Sequence, residues 1–183
     1  MFYNVVLFLH ILGTVVMFAA VGVTVTAMAA MLYANKTESL REWSSLAVKM
    51  DILLPFSVII VLVPGLFLVF STWGWGEAWV NLSLAALLLM TFMGPLINLP
   101  RLKAILAAAN KELESTPSLQ LQAKVKDRVL WHSVLIMTLM LVAILFLMTV
   151  KPVWIGSLIT LFIAIGGGFI AAPIVLSKAS SST

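Results

Sequence analysis

The chain has 183 residues, 62% of them apolar and 10% charged, with a net charge of +4 and a mean hydropathy of +1.14. A globule of this size could not hide so much apolar surface, because small domains leave a large share of their surface in water. Cysteine is absent, which excludes disulfides, thiolate nucleophiles, iron-sulfur clusters and c-type haem attachment, and the basic residues fall in short loops between apolar stretches, which argues for membrane topology and against nucleic acid.

Five windows carry no Asp, Glu, Lys or Arg: Met1 to Asn35, Ile52 to Trp75, Ala78 to Pro100, Val129 to Val150 and Pro152 to Ser177. Each is long enough to cross a hydrocarbon core, which takes about 20 helical residues. The first lacks the basic start of a cleavable signal and its apolar run is too long for one, so a retained helix is expected. The expected fold is an all-α, five-helix transmembrane bundle forming one domain, residues 1–183, with spans at about 5–33, 52–71, 78–100, 129–150 and 153–177.

Between spans one and two, Ser39-Leu40-Arg41-Glu42 has the form of a capping box, and Leu40, Trp43, Ala47 and Met50 recur at helical spacing. This predicts a short interfacial helix feeding span two. After span three, Leu102, Ile105, Leu106, Ala109 and Leu113 continue the helical period beyond the membrane. Thr116 is placed to cap a new helix opening on Pro117, so spans three and four should form a projecting hairpin. On the other side the connections are tight: Ser71 to Ala78, and Lys151-Pro152.

Ten of the eleven Lys and Arg residues lie on one side of this arrangement, Lys151 being the exception. The positive-inside rule then puts the N-terminus outside and the C-terminus in the cytoplasm of a bacterial inner membrane. Trp73, Trp75, Trp79 and Trp154 are expected at the outer interface, and Tyr33, Trp43 and Trp131 at the inner one.

Gly166-Gly167-Gly168 lacks the Lys-Ser/Thr of a phosphate loop and lies within a span, so it reads as a close helix contact, within the bundle or in a homo-oligomer. Pro64-Gly65 and Gly94-Pro95 read as proline kinks, with cavity-lining breaks the alternative. The ten methionines read as core filling, although thioethers beside histidine would also suit Cu(I). Asp51 and Glu77 lie on opposite sides of the membrane, which leaves a paired-carboxylate or Ser-His-Asp site unsupported.

His10 and His132 are the candidate cofactor-binding residues; no catalytic residue and no metal cluster is assigned. His10 shares a helix face with Gly13, Thr14, Met17 and Thr24, so its imidazole should point into the bundle, with Thr14 placed to fix its tautomer. With a 1.5 Å rise, His10 lies about 9 Å below one edge of the core and His132 about 5 Å above the other. In a core of about 30 Å this leaves roughly 16 Å between them, which favours separate roles over one shared haem.

Leu9-His10-Ile11-Leu12-Gly13, Pro64-Gly65-Leu66, Pro100-Arg101-Leu102 and Phe146-Leu147-Met148-Thr149-Val150-Lys151-Pro152 together resemble the DUF2269 group of predicted integral membrane proteins, over about residues 4 to 155. The resemblance implies the architecture and no activity. The leading Leu-His is also similar to the copper-resistance D and HemJ-like membrane families, which implies copper handling or b-type haem at bundle histidines. The functional expectation is a non-enzymatic multi-pass protein in contact with the lipid bilayer, binding b-type haem or a metal through an intramembrane histidine. The alternatives are a small transporter or permease, or an accessory subunit of a membrane complex.

Overall fold

A computed structural model describes residues 1–181, with side chains to Ala179; Ser182 and Thr183 of the serine-rich tail lie outside the described residues. Seven α-helices run in order: α1 (Phe2–Leu32), α2 (Thr37–Leu68), α3 (Ala78–Met93), α4 (Leu99–Lys111), α5 (Leu119–Val125), α6 (Arg128–Val150) and α7 (Trp154–Ser181). Five helical units among the described residues are long and apolar enough to span a membrane: Phe2–Leu32, Thr37–Trp73, Ala78–Lys111, Leu119–Val150 and Trp154–Ala179. Phe8, Ile11 and Val15 of α1 and Phe162, Ile163 and Ile170 of α7 face outward, an apolar exterior suited to lipid and not to water.

Two of the units are joined through π-helical turns. Val69–Trp73 extends α2, closed by the Gly74 N–H on the Val69 carbonyl at 2.8 Å. Gly94–Asn98 joins α3 to α4. Pro55 and Pro64 sit inside α2 without ending it, as proline can in a membrane helix whose neighbours satisfy the freed backbone.

Helix α2 differs from its expected form, for it runs unbroken from Thr37 and has no separate interfacial segment. The Ser39 capping box does not form, since the helix has already started: Lys36 is the N-cap, and the Thr37 N–H donates instead to the Ser115 carbonyl at 2.8 Å. Arg41 anchors this segment to the helix that follows span three. Its guanidinium donates from Nε to the Ala109 carbonyl at 2.8 Å and from Nη2 to the Glu112 carbonyl, so it caps the C-terminal end of α4, where carbonyls lack helical partners.

Helix α5 starts later than expected. Ser118, and not Thr116, is its N-cap, with Oγ accepting from the Leu121 N–H at 3.3 Å. The Asp127 carboxylate then caps α6, accepting from the Val129 N–H at 2.8 Å and the Leu130 N–H at 3.2 Å. It also pairs with Arg101 at 3.3 Å, tying α4 to the start of α6.

Trp79 and Trp131 lie close to the starts of α3 and α6, and both turn into the bundle. Both are buried, and the Trp131 indole N–H donates to the Val125 carbonyl at 2.9 Å. A buried ring needs such an acceptor for its polar edge, and the break at Lys126 and Asp127 supplies one.

Candidate ligand-binding site

Small residues let α1 lie against α2. A Cβ added at Gly13 would sit 2.9 Å from the Ile60 Cγ2 and 3.0 Å from the Ile60 carbonyl carbon, so glycine is what permits this approach. One turn earlier, His10 meets Gly65. A Cβ there would lie 3.0 Å from both Cε1 and Nδ1 of the imidazole. The ring thus occupies the space that the missing side chain leaves.

His10 Nδ1 is 2.8 Å from the Val61 carbonyl oxygen. A carbonyl only accepts, so Nδ1 carries the proton, and in the neutral ring Nε2 keeps its lone pair. Thr14 does not set this tautomer. Its hydroxyl donates to the backbone carbonyl of His10 at 3.0 Å, a bond within its own helix, and the neighbouring helix orients the ring instead. Pro64, which has no N–H, leaves the Ile60 carbonyl next to the docking carbonyl without its helical donor.

The imidazole lines a partly open cavity of about 540 Å³ bordered by α1, α2, α3 and α6. Its walls are apolar, with Met17, Val61, Leu87 and Leu141 among them, and its few polar groups include His10, Thr14, Ser83 and Lys151. This is the size and character of a small-molecule or cofactor site. Trp73 lies edge-on to His10, with centroids 6.2 Å apart, and Trp79 lies edge-on to Trp73 at 5.2 Å. Trp73 lines the cavity, and Trp79 stands behind it, against Lys151 of the α6–α7 turn.

His132 is in different surroundings. Its Nδ1 is 2.6 Å from the Arg128 carbonyl in its own helix, its ring leans on Phe169 of α7 at 5.6 Å, and it is not among the residues lining the cavity. The two histidines are therefore not brought together. Of the two proline-glycine pairs, Gly65 forms cavity wall and Gly94-Pro95 does not; the latter lies in the π turn that leads to Asn98.

Sequence reasoning used Lys151 for topology and for the family resemblance, without placing it at a site, and did not reach Ser83. The Ser83 hydroxyl is buried without a hydrogen-bond partner, and its side chain is only 1% exposed. A serine one turn from Trp79 in an otherwise apolar helix was a legible signal, although only the packed bundle shows what it faces.

His10 supplies a single donor nitrogen. No group of three or more His, Cys, Asp or Glu gathers among the described residues, whereas a bare Zn ion draws three or four such ligands from its protein. A metal already held by a macrocycle would need as little as one imidazole from the protein, and Met17 and Met148 line the same cavity as His10.

No curated protein and no solved structure shows significant similarity to the chain. The family described as predicted integral membrane protein (DUF2269) matches residues 4–152. A bundle of five membrane-spanning helices agrees with that description, and the chain is a member of the DUF2269 family of multi-pass integral membrane proteins.

Proposed function

We propose that this protein binds a b-type haem in the cavity between α1, α2, α3 and α6, with His10 as the residue that would hold its iron, in a bacterial plasma membrane with its N-terminus outside. One observation carries the reading: His10 Nδ1 donates to the Val61 carbonyl oxygen 2.8 Å away, which leaves Nε2 as the free ligating nitrogen of a ring that lines the cavity. Metal-bound histidines characteristically donate their other ring N–H to a carbonyl or carboxylate, which sets orientation and raises basicity. The cavity volume of about 540 Å³ falls within the range of cofactor sites. Haem would supply redox or ligand-binding chemistry at its iron. The chain's residues would hold the macrocycle, fix the imidazole through Val61 and Gly65, and keep water out with apolar walls.

The test is the absorbance spectrum of the purified protein after haem supplementation. A Soret band that is lost or shifted in His10→Ala is the expected result. No band, or a band indifferent to that substitution, overturns the proposal.

A further inference from the structure

The rim of the same cavity holds a cation. Lys151 is the C-cap of α6, with φ 54° and ψ 52°, and it is the non-glycine residue with positive φ among those described. Such a conformation is uncommon for a residue with a Cβ. Its N–H closes the helix on the Leu147 carbonyl at 3.0 Å, and Pro152 prevents the helix from continuing. The ammonium lies 5.1 Å from the centroid of the Trp79 ring.

A lysine at a helix C-terminus is favourable on its own account. Two further observations carry the argument beyond capping. Lys151 lines the cavity, and the ion pair found among the described residues joins Arg101 to Asp127, leaving the Lys151 ammonium without a carboxylate partner. Glu77 is close to Trp79, but its carboxylate accepts the indole N–H at 3.1 Å and it does not line the cavity. Ser83 also lines the cavity, and its hydroxyl, without a partner in the protein, offers a second donor. Buried hydroxyls in native proteins are nearly always paired, so an unpaired one calls for a partner from elsewhere.

We propose that the cavity selects an apolar ligand bearing an acidic group, with that group paired to Lys151 at the rim and a second acceptor of the ligand hydrogen-bonded to Ser83. The inference rests on the reading of this cavity as a ligand site, and it does not depend on iron. A porphyrin propionate and a fatty-acid carboxylate share the required chemistry.

The test uses the full chain in neutral, nonionic detergent with two matched pairs of probes: iron-free protoporphyrin IX against its dimethyl ester, and cis-parinaric acid against its methyl ester. Energy transfer from the protein's tryptophans reports binding. In at least one pair the acid should bind about tenfold more tightly than the ester, and the pair that shows this identifies the source. Lys151→Met should erase the preference and Lys151→Arg should retain it, while circular dichroism and gel filtration establish that both variants are folded. Ser83→Ala should weaken the acid and the ester of that pair alike.

Equal binding of acid and ester in both pairs, or a preference that survives Lys151→Met, overturns this proposal and leaves the haem reading standing. A retained acid preference without a His10-dependent Soret band supports it and removes haem. Failure of all four probes to bind overturns it together with the cavity reading.

Discussion

A methyl group added at residue 65 would lie 3.0 Å from two atoms of the His10 ring, so Gly65→Ala forces either the imidazole or α2 to move. The ring can give way only by stretching its 2.8 Å bond to Val61. Overpacking of this kind costs about 1–3 kcal/mol. We expect a lower melting temperature in detergent together with weakened haem capture, and unchanged haem absorbance in this variant would count against the role given to the Gly65 space. Trp131 supports a second prediction at this scale. Replacing it with Phe keeps most of the buried ring but strips the Val125 carbonyl of its donor, which should cost about 1 kcal/mol, measurable as earlier thermal unfolding with the far-ultraviolet spectrum intact. That His10 turns inward was legible from its neighbours Gly13, Thr14 and Met17. Which group would hold its proton was not, because Val61 lies on another helix, 51 residues away.

Helices α6 and α7 meet where Gly168 faces backbone. A Cβ at that position would come within 2.6 Å of the Ile136 Cα and 2.7 Å of its nitrogen, whereas one at Gly166 would meet nothing within 4 Å. Gly168→Ala should therefore spread the helix pair and destabilise the bundle by about 1–3 kcal/mol. Gly166→Ala should be neutral or stabilising by up to about 1 kcal/mol, since alanine is the better helix former. Equal melting temperatures for the two variants would contradict the packing described. The start of α6 offers a similar contrast. Asp127→Ala removes the cap on Val129 and Leu130 and should cost about 1 kcal/mol. Asp127→Asn keeps an acceptor there and loses the partly exposed pair with Arg101, a change of about 0.5 kcal/mol or less. Chemical denaturation of both variants would separate cap from ion pair. The glycine run announced a close contact through composition alone, but three adjacent glycines point in different directions around a helix, and the sequence could not say that Gly167 and Gly168 face α6 while Gly166 does not.

For the molecule as a whole, the distribution of Lys and Arg makes a topological prediction. Reporter fusions after Ser177 should read as cytoplasmic, and fusions in the Lys151–Val153 turn as external; the opposite pattern would reverse the orientation. Moving basic residues into the turn between Trp73 and Glu77 should reduce the bias or invert it. The number of spans was determined by the sequence alone, because the absence of charge over some 20 residues is a property of each segment and the bilayer imposes helix on it whatever its neighbours do. The merging of the interfacial helix with α2, the inward turn of Trp79 and Trp131, and the gathering of His10, Ser83 and Lys151 around one cavity were decided only by tertiary structure. Each depends on a partner supplied by a different helix, such as the α4 carbonyls for Arg41 or the Trp79 ring for Lys151, and no local pattern of apolar residues encodes which helices will become neighbours.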